Sequence, residues 1–149
     1  LGEEAEARKR WEKALELDPT NPAAYNNLAN SYGQTGPVVK AFELYAKAIE
    51  MNPKQAIYYH NLASVIVLNR KEAAEHYRIA EQQVLRHALE LYRLARKFDP
   101  GSFQLATDLA QVYYCNRRIM RGRRPLGARR RRWLATSKNA KPRICTSRG

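Results

Sequence analysis

Apolar and small residues recur over the first 114 positions at intervals of three and four, the signature of helices that bury one stripe each. Leu28, Ala29 and Tyr32 form one such stripe; Ala41, Leu44, Tyr45 and Ala48 form the next. Stripes end at Asp-Pro or Asn-Pro steps (Asp18-Pro19, Asn52-Pro53, Asp99-Pro100). There the residue before proline is pushed away from the helical region, and proline has no amide to donate. Gly36 followed by Pro37 marks a sharp turn between two stripes. The pattern predicts an all-α fold of helices taken in pairs.

The stripes are copies of one another. "ALELDP" (Ala14–Pro19) returns as "AIEMNP" (Ala48–Pro53) and "ARKFDP" (Ala95–Pro100), with 34 residues from Pro19 to Pro53 and 47 from Pro53 to Pro100. Counting back from each proline, Ala7, Ala41 and Ala88 align, as do Trp11, Tyr45 and Tyr92. Counting forward, Leu28, Leu62 and Leu109 coincide, each followed by alanine. Unrelated amphipathic helices would rarely hold such a phase. The series resembles the tetratricopeptide repeat, and Pro22–Gln55 matches it at Tyr25, Leu28, Ala29, Tyr32, Ala41, Tyr45, Ala48 and Pro53.

The resemblance implies a right-handed superhelical solenoid of antiparallel helix pairs over residues 1–114: a half repeat (1–21), a full repeat (22–55), a repeat with an insertion (56–102) and the first helix of another (103–114). Because a solenoid buries its faces only against neighbours, both ends read as cut. The chain is thus expected to be part of a longer array or to self-associate end to end. The third proline step is 13 residues late, which places the insertion at about Asn69–Gln82, "NRKEAAEHYRIAEQ", without Gly or Pro and rich in helix formers. The first helix of that unit is expected to be prolonged towards Tyr77 and to break near Arg78–Ala80, giving a folded protrusion at one edge of the stack. A continuous helix from Lys71 to Phe98 ranks second.

Charge changes the picture at the C-terminal end. The chain has 27 Lys plus Arg, 14 Asp plus Glu and a net charge of +13. All 14 acidic residues precede Cys115, balanced there by as many basic ones, so the last 35 residues hold the whole excess, including 11 arginines. Without apolar periodicity, 115–149 is expected to be a disordered tail. Three readings of it stand. It is a basic arm in which Arg129, Arg130, Arg131 and Arg132 meet phosphates while Trp133 stacks on a base, a solvated tail, or an out-of-register translation of a GC-rich gene. Nucleic acid enters as a partner only through this segment.

Catalytic chemistry has little to stand on: no Ser or Cys in a nucleophile motif, no Gly-rich phosphate loop, no distinctive carboxylate pair. His76 and His87 lie among Glu, Arg and Gln and read as solvated. Cys115 and Cys145 suggest neither a disulfide framework nor a zinc site, which makes a reducing compartment, the cytoplasm, the default. No apolar run is long enough to span a membrane, and no metal or cofactor is called for.

A protein or peptide partner is the better expectation. In the family that the chain resembles, first helices line the concave face. The corresponding positions are Ala23, Asn26, Asn30 and Gln34; then Ile57, His60, Ser64 and Val67; then Gln104, Thr107 and Gln111. Asn27 and Asn61 sit where asparagine is common for structural reasons as well as for contact. Side-chain amides suit an extended peptide because each donates once and accepts once. Some members grip a partner's C-terminal carboxylate with Asn plus Lys or Arg. Asn30 and Asn61 match, but the basic positions hold Asn26, Gln104 and Asp108. The resemblance therefore does not extend to chaperone-tail capture.

Overall fold

The computed structural model describes the backbone of residues 2–122 and the side chains of residues 3–114. The described residues form seven helices: α1 (Gly2–Leu17), α2 (Pro22–Thr35), α3 (Val38–Met51), α4 (Ala56–Leu68), α5 (Arg70–Tyr77), α6 (Glu81–Phe98) and α7 (Phe103–Gly122). The chain divides into two units, Leu1–Asn116 and Arg117–Gly149. In the second, the described part is the helical backbone as far as Gly122. That helix corrects one expectation: the chain does not leave the helix at Tyr114. Cys115–Gly122 has no proline, and adding residues to a formed helix is far easier than nucleating one. Arg129–Arg132 and Trp133 lie outside the described residues.

Helix boundaries follow local chemistry. Asn21 caps α2, its Oδ1 accepting the Ala24 N–H at 3.0 Å, with Pro22 in the first turn. At the other end of α1, Asp18 Oδ1 accepts from the Thr20 amide at 3.0 Å and its hydroxyl at 2.8 Å. Gly36 and Pro37 separate α2 from α3 by two residues, and the two pack along their length as an antiparallel pair. The second pair is α4 with α6, while α1 lies on α2, and α3 on α4. In the first unit the described helices thus form an all-α solenoid.

Small residues permit this packing. Ala29, Ala41, Ala48, Ala63, Ala88 and Ala95, all at repeat positions, are 0% exposed. Gly33 makes a close approach of its own: a Cβ there would lie 3.2 Å from Val65 Cγ2 and 3.9 Å from Ala41 Cβ, so α2, α3 and α4 converge on it. A polar tie joins α1 to α2, where Arg8 Nε donates to buried Ser31 Oγ at 3.0 Å and Ser31 donates to Glu4 at 3.0 Å.

The insertion takes a course that the sequence reading only half anticipates. The break at Arg78–Ala80 is present, with Arg78 in the left-handed region (φ 52°, ψ 43°). However, α4 stops at Leu68, Asn69 leaves helical geometry (φ −119°, ψ 59°), and α5 packs against α3 and α6 instead of protruding. Ala73, His76 and Tyr77 share one face at helical spacing, and that face is apolar enough to be buried. Ala73 is 0% exposed, and ring centroids lie 5.4 Å apart for His76 and Phe42, 5.7 Å for Tyr77 and Phe42, and 4.7 Å for Tyr77 and His87. His76 and His87 are therefore half-buried members of an aromatic cluster, not solvated as their charged neighbours suggested.

Two consequences are measurable. A side chain in the left-handed region costs about 1 kcal/mol that glycine avoids; Arg78→Gly is therefore expected to raise the urea midpoint. Burial, opposed weakly by Glu90, pushes the His87 imidazole below its ordinary pKa of 6.5. The unfolded chain then takes up the proton first, so stability held by neutral His87 is present above that value and is lost as pH falls below it. Wild type should lose more stability than His87→Gln between about pH 7.5 and about pH 5.5.

Candidate functional site

Three first helices, α2, α4 and α7, carry the residues expected on the concave face, and the structure ties several of them together. Asn61 Nδ2 donates to Asn26 Oδ1 at 3.0 Å, and Asn26 Nδ2 donates to Asn27 Oδ1 at 3.3 Å. Asn26 is only 7% exposed, so its amide serves to join α2 to α4. Tyr45 donates to Asn30 Oδ1 at 2.6 Å. Thirty-four residues after Asn30, at the same repeat position, Ser64 Oγ lies 2.9 Å from the Tyr92 hydroxyl. Ser64 spends its single proton on the His60 carbonyl at 2.9 Å, so Tyr92 must be the donor. Burial raises the pKa of both phenols, for Tyr92 against a smaller opposing effect of its bond to Ser64, so both remain protonated.

The two tyrosines occupy the aromatic position of the second helix. Their rings are core, 1% exposed for Tyr45 and 3% for Tyr92, while their hydroxyls reach through to a first-helix side chain, Asn30 or Ser64. In the sequence the two stand out only as aligned aromatics. The signal was there: tyrosine rather than phenylalanine at both copies, facing Asn30 in one and Ser64 in the other.

At the α4–α7 end, His60 Nε2 meets Asp108 Oδ2 at 2.7 Å, and Gln104 Nε2 donates to Asp108 Oδ1 at 2.9 Å. The His60 and Asp108 side chains are 18% and 22% exposed, so this pair is partly shielded from water. Beside it lies a cavity of about 220 Å³, lined by the polar or charged Ser64, Arg70, Tyr92, Asp108 and Gln111 and by the apolar Val67, Leu68, Leu85 and Val112. Gln34, Thr107 and Gln111 are exposed, and no other helix claims them; Thr107 bonds only back to the Phe103 carbonyl at 3.0 Å. Ala23 and Gln104 are exposed too, and Ile57 presents an apolar side chain that is 44% exposed.

These features define a helical-repeat solenoid with a polar, nearly uncharged strip along its first helices. Residues 1–36 match the family model described as TPR repeat. Solved TPR domains share the fold. The first TPR of Spaghetti (RPAP3), bound to the HSP90 peptide SRMEEVD, is 19% identical with a TM-score of 0.62, over 76% of this chain and 82% of that one. The TPR2B-domain:pHsp70 complex of yeast Sti1 is 20% identical with a TM-score of 0.61, over 78% and 85%. No curated protein matches the chain in sequence.

Proposed function

We propose that this chain is a non-enzymatic interaction scaffold that binds an extended peptide, or an extended segment of a partner protein, along the concave strip. The observation that carries the reading is the alignment of Asn30, Gln34, His60, Ser64, Thr107 and Gln111 on three in-phase helices, the first two of these helices braced by repeated Tyr-to-polar hydrogen bonds. Support also comes from the two TPR-fold structures, one bound to an HSP90 peptide and one in complex with pHsp70. The ligand class differs from a carboxylate terminus, because Asn26, Gln104 and Asp108 stand where cations would be needed and Asp108 adds a negative charge.

The test uses variants that spare the fold. Gln34, Thr107 and Gln111 are exposed and join no two helices, so changing all three to alanine should leave helix content and melting unaltered. Three lost neutral hydrogen bonds, each worth about 0.5–1.5 kcal/mol, correspond to a fall of roughly tenfold or more in affinity. Peptides selected on the wild-type chain from a random library should show that fall; unchanged affinity would remove the strip from the binding site.

A further inference from the structure

We propose that the cavity beside Asp108 is a specificity pocket for a basic side chain, lysine or arginine, of the bound peptide. The proposal rests on the concave-face reading and adds what the face selects. Counting protons sets the polarity of the cavity. Asp108 is acceptor-only when ionised; His60 and Gln104 occupy one site on each oxygen, and each oxygen keeps another. Ser64 has given its proton to the His60 carbonyl and Tyr92 has given its proton to Ser64, so the Tyr92 oxygen is left with lone pairs only. The polar lining thus offers a carboxylate and a phenol oxygen as acceptors, and as donors the Gln111 amide and the exposed Arg70 guanidinium.

Val67, Leu85 and Val112 line the same cavity with apolar surface. A side chain with a methylene stem and a cationic head satisfies both kinds of lining at once, the stem on the apolar surface and the head on the acceptors. The cavity, about 220 Å³, has the volume of roughly seven waters at about 30 Å³ each, enough for one long side chain. An acidic side chain would face Asp108, and a purely apolar one would strip water from the carboxylate without replacing it. Arg70 lines the cavity too, but it is solvent-exposed and forms no ion pair with Asp108, whose ion-pair partner is His60.

The experiment immobilises the full chain and measures retention of four seven-residue peptide pools at about 0.15 M salt, where the screening length is about 8 Å. The central residue is Lys, Arg, Leu or Glu, and the other positions are randomised over neutral residues. The chain's net charge of +13 favours the Glu pool non-specifically, so a basic preference has to arise locally. Expected are at least tenfold higher retention of the Lys and Arg pools than of the Glu pool, loss of that preference in Asp108→Asn with the Leu pool still retained, and its survival in Asp108→Glu. If Asp108→Asn fails to fold, Tyr92→Phe, which removes one acceptor, should narrow the preference. Pools retained without a basic preference, or with one that is the same in the variants, overturn the pocket and leave the concave-face reading standing. Retention of no pool overturns both.

Discussion

Phe42→Ala is expected to destabilise the helical stack by about 3–5 kcal/mol, the cost of emptying a fully enclosed aromatic site. Phe42 is 0% exposed on α3, and its ring meets His76 and Tyr77 of α5. It is therefore one of the contacts through which the insertion joins the core, beside the packing of Tyr77 on His87 of α6. Removing it leaves a cavity between two helices and frees α5, which has only eight residues and little helical stability of its own. For a unit of this size the melting temperature should fall by roughly 10 °C or more. Proteolysis should then cut first between Asn69 and Ala80. A shift of a degree or two would mean that α5 is an ornament on the surface and that the packing described for it is wrong.

The neighbouring position should fail in the opposite way. Ala41 is 0% exposed, and the Cβ that Gly33 lacks would stand 3.9 Å from the Ala41 Cβ. Three more carbons at this fully enclosed position have to displace neighbouring atoms. Ala41→Leu should force α2 and α3 apart and cost about 1–3 kcal/mol, although leucine is a good helix former and more apolar than alanine. Ala41→Ser, nearly the same size, should cost less. Equal or greater stability of the leucine variant would show that the small residues of the repeat are not there to let helices approach.

That role for alanine was legible in the sequence, since repeat phase marks Ala29, Ala41, Ala48, Ala63, Ala88 and Ala95, all fully enclosed, although not the enclosed Ala73 of the insertion. Proline steps and the Gly36-Pro37 turn likewise gave the boundaries, because both act through the local backbone. The path of α5 was not legible. Its buried face is made of Ala73, His76 and Tyr77, two of them with polar atoms, and its value depends on Phe42, far away in sequence. Asn69, where α4 stops, carries no proline or glycine signal. Repeat phase with the family resemblance marked the first-helix positions, but not their commitments. Asn26 to Asn61 and His60 to Asp108 are tertiary pairs, separated by 35 and 48 residues, and only the fold brings them together.

Amide hydrogen exchange on the full chain, with and without a peptide selected from the library, tests most directly the claim that the concave strip is the binding site. Slower exchange should concentrate on α2, α4 and α7, with α3 and α6 little changed. Protection confined to α3 and α6, or to the segment after Cys115, would contradict it.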